Sequence, residues 1–137
     1  MADTTRYTDL NTNNKLIDAR FLSGKVRVAV DELTMASQAA GAHNTALHLP
    51  IGAVPLFGIV ETSLTLGTAT LAIGITGSTG KYRAAATFTA TDTPTLFGVG
   101  AAIGEALTAA EDVILTTAVA ALPASGTLRV FIFYSVE

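Results

Sequence analysis

From Gly24 to the C-terminus, apolar side chains recur at every second position in short runs. A period of two fits a pleated strand, whose successive side chains point to opposite faces, and it does not fit a helix. In KVRVAVD, Val26, Val28 and Val30 share one face while Lys25, Arg27 and Asp31 share the other. ALHLP repeats the pattern with Leu47 and Leu49, and VPLFGIVE sets Leu56 and Val60 against Phe57, Ile59 and Glu61. TLAIGIT aligns Leu71, Ile73 and Ile75, and EDVILTTAV aligns Val113, Leu115 and Val119. The run GTLRVFIFYSVE carries the strongest signal: Leu128, Val130, Ile132, Tyr134 and Val136 alternate with Arg129, Phe131, Phe133 and Ser135. Both of its faces are apolar in the middle, which predicts a central strand covered on both sides.

Turn-forming clusters separate these runs: AAGAHN (39–44), PIGA (50–53), GITGSTGK (74–81), TDTP (91–94) and PASG (123–126). Short strands at this spacing predict an all-β chain, a β-sandwich of about eight strands, jelly-roll-like, with minimal helix. The best helical candidates are KYRAAA (81–86) and AAIGEALTAAED (101–112), on their alanine content, although Gly104 weakens the second. The 137 residues are the size of one domain, and a core of that size needs no disulfide, in keeping with the absence of cysteine. The domain is placed at 24–137. Residues 1–23 are polar and rich in Asn, Thr and Asp, and read as an extended N-terminal arm. Tyr7, Leu10, Leu16, Ile17 and Phe21 are large apolar groups that a solvated tail would not need, so they are the candidate partner-binding residues of that arm.

Charge narrows the function. Glu61 is the one formal charge between Leu33 and Gly80. Charged residues make up 14% of the chain, against roughly 25% in ordinary globular proteins. In their place stand 24 Ala and 21 Thr. A sandwich buries about half of its strand residues, and the outward half is ordinarily polar or charged. An outward half this poor in charge predicts a surface covered by protein neighbours, and hence a homo-oligomer. The eight Lys and Arg are scattered among acids and form no basic face, which argues against nucleic acid as a partner. No secretory signal pattern opens the chain, and Gly and Pro interrupt every apolar run before it reaches the roughly 20 residues of a membrane span.

Candidate chemistry is thin. GSTGKY (77–82) lacks the spacing of a phosphate loop: Ile75 stands where the first glycine belongs, and Tyr82 where the metal-binding hydroxyl belongs. GVGAAIG (98–104) misses the dinucleotide fingerprint, with Ile103 in the slot of the third glycine and Ala118 where the acid would fall. His43 and His48 lie five apart, facing opposite sides of a strand, and His43 falls in a turn signal. The neighbours Asp31 and Glu32 point apart, as do Glu111 and Asp112. No GxSxG surrounds any of the six serines, and Ser125 in PASG reads as a turn residue. The expectation is therefore a protein that is not an enzyme, with no catalytic residues, no metal site and no cofactor.

Three stretches carry a resemblance: Leu49-Pro50-Ile51-Gly52-Ala53 after the early strands, the segment from Ile73 to Ala85 with its GITG and KYRAAA, and the closing Gly126 to Tyr134. Together, over about 24–137, they resemble small virion proteins of tailed bacteriophages, in particular capsid decoration (cement) proteins. The resemblance implies a β-sandwich or jelly roll, commonly a homotrimer. It implies a seat on the capsid surface of the virion where major capsid subunits meet, after synthesis in the host cytoplasm. It supplies no site motif, so no individual residue is carried over. Another virion role, in tail, baseplate or head-fibre base, would use the same β-oligomer. A carbohydrate-binding sandwich would instead show exposed aromatic platforms, for which Phe57, Tyr82, Phe97 and Phe131 are the candidates.

Overall fold

The computed structural model describes Ala2, Thr4, Thr8, Arg20 and residues 24–137. Eight strands follow one another: β1 (Lys25–Thr34), β2 (Gly41–Leu49), β3 (Val54–Thr62), β4 (Thr70–Ile75), β5 (Ser78–Thr87), β6 (Thr95–Phe97), β7 (Glu111–Ala118) and β8 (Thr127–Val136). They form two four-stranded sheets, β1-β8-β3-β6 and β2-β7-β4-β5, with antiparallel ladders. Strands 1 and 8, 2 and 7, 3 and 6, and 4 and 5 are all paired. That is one long hairpin, folded at the β4–β5 turn and rolled up, which is the jelly roll. Thr76 and Gly77 make its two-residue tip, and Gly77 takes a φ of +87°, which a glycine accepts without steric cost.

Both helical expectations fail. KYRAAA lies inside β5, because the tight β4–β5 turn lays it beside β4 and ladder pairing outweighs alanine's modest helix preference. Residues 101–110 are turns and bends, and Glu111 and Asp112 open β7. The strand β6 gave no sequence signal, being three residues long.

The core lies between the sheets, from Leu47, Leu49, Val60, Leu71, Ile73, Val113, Leu115, Leu128, Val130 and Ile132, closed at the ends by Met35, Leu66, Phe88, Leu107 and Leu122. Phe97 enters from β6 and lays its ring over Gly58, where a Cβ would stand 2.1 Å from Cζ. A glycine is needed there for this close approach.

β8 is central, between β1 and β3, as expected. It is not covered on both sides: Leu128, Val130 and Ile132 are buried inward, while Phe131 and Phe133 look outward and are half-buried by same-sheet neighbours. β1 reverses the usual sense of an amphipathic strand. Val26, Val28 and Val30 face out, and Ala29 and Leu33 pack inward. The cause is its register. Ala29 pairs with Ile132 and Leu33 with Leu128, so the inward row of β8 dictates which side of β1 meets the core.

Candidate functional site

Strand pairing arranges the outward side chains of the β1-β8-β3-β6 sheet in rows, since directly opposed residues share a face. One row runs Glu32, Arg129, Glu61. The next runs Val30, Phe131, Ile59, Leu96. The third runs Val28, Phe133, Phe57. Val26 stands opposite Ser135 beyond them.

The two middle rows are apolar throughout, the first over four strands and the second over three. Phe57 and Phe133 stack with ring centroids 4.7 Å apart and planes 17° from parallel. Of the eight large apolar residues exposed among those described, five lie on this face: Val26 at 61%, Val28 at 48%, Val30 at 51%, Phe57 at 38% and Leu96 at 68%. Isolated exposed apolar residues are normal, whereas an aligned group on one face forms the kind of patch that accompanies interaction surfaces.

The charged row closes one end of this face. Arg129 Nε donates to Glu32 Oε2 at 2.6 Å, and its Nη1 lies 3.8 Å from Glu61 Oε2. The hydrogen bond to Glu32, then the charges of Glu32 and Glu61, hold the guanidinium above its usual range. At the opposite end Ser135 Oγ donates to the carbonyl of Arg20 at 2.9 Å, and the Arg20 guanidinium donates to the carbonyl of Gly52. Arg20 therefore lies beside β8 at this end of the face.

The other outer face, on β2-β7-β4-β5, is built of small groups. Ala42, Thr116 and Ala72 form one row, Asn44, Ile114 and Gly74 a second, and Thr70 faces Ala118. His48 Nδ1 lies 2.8 Å from Asp112 Oδ1 at its rim, both side chains exposed.

The remaining chemical candidates have structural partners. Glu111 and Asp112 do point apart: Asp112 meets His48, while Glu111 turns inward to Lys81 Nζ and accepts from Tyr82 Oη at 2.5 Å. Burial, then that hydrogen bond, pushes the Tyr82 phenol well above its ordinary range, so it stays a neutral donor. No local pattern hinted that Lys81 and Tyr82 would meet Glu111, 30 and 29 positions away. GSTGKY is thus a turn and a strand, and GVGAAIG is a loop tied to β3 by Gly104 N–H donating to the Pro55 carbonyl at 2.8 Å.

His43 lies in β2 and not in a turn, with Nε2 3.0 Å from Thr117 Oγ1. Asp31 accepts from the Ala46 N–H at 2.7 Å and Thr45 Oγ1 donates to the Val113 carbonyl at 2.6 Å, which together satisfy the bulge in β2. Beside them a slot of about 30 Å³ has room for little more than a water. Among the described residues, no three His, Asp or Glu side chains converge.

Of the aromatic candidates, Tyr82 and Phe97 are core residues, Phe57 is exposed and Phe131 half-buried. Tyr7, Leu10, Leu16, Ile17 and Phe21 lie outside the described residues. The outward apolar rows escaped the sequence reading, although their signal was present. The doubly apolar centre of β8 carries it, because a central strand with large apolar groups on both faces must present one set outward.

No protein-family model matches the sequence, and no curated protein matches it significantly. Solved structures do. A chain in the cyanophage Pam1 capsid asymmetric unit superposes with a TM-score of 0.68 at 23% identity, over 93% of this chain and 97% of that one. A chain in the capsid of Ralstonia phage GP4 gives 0.65 at 21%, over 94% and 96%. One in the acid-stable capsid of Helicobacter pylori bacteriophage KHP30 gives 0.62 at 14%, over 81% and 87%. At these identities the likeness establishes the shared fold along nearly the whole chain.

Proposed function

We propose that this chain is a virion structural protein of the decoration, or cement, type, which seats on a phage head and bridges major capsid subunits. The observation that carries the reading is the outer face of the β1-β8-β3-β6 sheet, where two rows of large apolar side chains cross the strands, one over all four and one over three. A cement protein works by area and symmetry, and such a face supplies area without a pocket. The fold shared with chains of three phage capsids supports the same reading.

In this proposal the oligomer is a trimer on the capsid surface, and the 1–23 arm reaches a neighbouring subunit through Tyr7, Leu10, Leu16, Ile17 and Phe21. The charged row Glu32–Arg129–Glu61 forms the polar rim that orients the apolar seat.

Imaging the native particle tests the reading. The expected density lies on the head, over junctions of major capsid subunits, with Phe57 and Leu96 covered. Density on the tail or baseplate would overturn it. Deleting residues 2–20 should lower capsid occupancy, and full occupancy after deletion would remove the role given to the arm.

A further inference from the structure

Each sheet of a jelly roll has two edge strands, and an open edge is a template for another chain. Three of the four edges here are blunted. β6 is three residues long. β2 is broken by a bulge between Asn44 and His48. β5 shifts register twice against β4, and the Arg83 guanidinium donates to the Leu71, Ala86 and Thr87 carbonyls there.

β1 is different. Its ten residues pair with β8 without one register shift, and among the described residues no strand pairs with its other side. Arg20, the nearest described residue before Gly24, is held by Ser135 and Gly52 on the β8 side. So the described part of the entering chain leaves this edge open.

We infer that the free edge of β1 pairs with β1 of a second copy, antiparallel, about a two-fold axis through Val28. The occupant is read from the strand itself. Lys-Val-Arg-Val-Ala-Val-Asp (25–31) is basic at one end and acidic at the other, so an antiparallel copy brings opposite charges together. Backbone geometry restricts the register. Hydrogen-bonded antiparallel partners must both point their N–H and C=O groups across the seam, so residues of like parity face each other. Centred on Val28, the pairing sets Lys25 against Asp31 of the partner subunit and joins all six valines into one outward ladder, Val26 with Val30 and Val28 with itself. Eight strands then form one sheet, and the apolar face of one copy continues into the next. The valines are about half-exposed, no described strand flanks them on this side, and the added strand covers that flank. In a trimeric cement protein this two-fold contact would join one trimer to the next.

The absence of cysteine makes the test specific. In full-length V28C, the two introduced thiols sit on directly opposed residues, Cα atoms about 5 Å apart, within disulfide reach. Mild oxidation of the free protein at tens of micromolar should give covalent dimer as the main product. V26C should stay uncrosslinked, because its copies lie four residues apart along the strand, about 13 Å. A mixture of V26C and V30C should form the heterodimer, and Lys25→Asp placed in V28C should slow crosslinking about tenfold. Crosslinking of V28C no faster than that of L96C, an exposed site on β6 at the opposite side of the sheet, would overturn the inference. So would capture of a different protein by V28C in the particle. The unmodified chain offers a second readout: amide exchange in β1 should slow as concentration rises, and concentration-independent exchange would also overturn it. These measurements use the isolated chain, so their failure leaves the proposed place in the virion untouched.

Discussion

On one side of the sandwich the opposed outward residues are Val30, Phe131, Ile59 and Leu96; on the other they are Ala42, Thr116 and Ala72. Both faces are almost free of charge at their centres, yet they can do different things. Large apolar groups in register offer area, worth roughly 25 cal/mol for each Å² removed from water, less what ordering the partners costs. Ala, Thr and Gly offer little area. A low count of charged residues therefore has two meanings in one molecule. On the β1-β8-β3-β6 side it leaves exposed large apolar groups, the seat proposed above; on the β2-β7-β4-β5 side it leaves mostly small groups.

The contrast depends on the support beneath it, and Gly58 is where it should break most severely. Gly58→Ala places a methyl inside the Phe97 ring, which must leave, taking β6 and the outward Leu96 with it. A loss of about 3 kcal/mol or more is expected in urea unfolding, of the size that overpacking and a vacated core site produce together.

A matched pair of substitutions sharpens the comparison next. Leu96→Asp and Ala118→Asp each put a carboxylate on an exposed site, one on each face. The first should weaken capsid occupancy about tenfold, or ~1.4 kcal/mol, and the second by less than about twofold. Equal effects would erase the distinction between the faces.

Alkaline pH probes the interior that both faces share. The Tyr82 phenol is raised in the folded state and ionises near pH 10 when unfolded. Its contribution is thus fully present below about pH 10 and is lost as pH rises beyond it. Denaturant midpoints should fall with pH above 10, and Tyr82→Phe should flatten that slope by up to one proton while lowering stability at neutral pH.

The smallest effect belongs to the small-residue face. The Thr116 hydroxyl is buried without a hydrogen-bond partner. Thr116→Val should therefore stabilise, by about 0.5–1 kcal/mol, read as a raised Tm. A destabilised variant would mean the hydroxyl has work to do on this face.

Much of the architecture was legible. The strands at 25–31, 54–61, 70–76, 111–119 and 126–137 were found within a few residues, because turn chemistry and alternation act locally. The PIGA turn also holds, with Ala53 N–H donating to the Pro50 carbonyl at 3.1 Å and Gly52 at a φ of +82°. β5 was misread because its alanines favour helix locally, and only the neighbouring β4 overrides them. The Lys81–Tyr82–Glu111 cluster was invisible because it joins two strands distant in sequence.

Period-two alternation, by itself, established that Val26, Val28 and Val30 share a side, and that Phe57, Ile59 and Glu61 share another. It is silent on which side meets the core, since a strand's pattern looks the same from either face. That choice came from pairing across about a hundred residues, where Leu128, Val130 and Ile132 of β8 had committed inward and β1 had to follow. Local chemistry thus set the strands and their turns, and long-range register decided which apolar rows became core and which became surface.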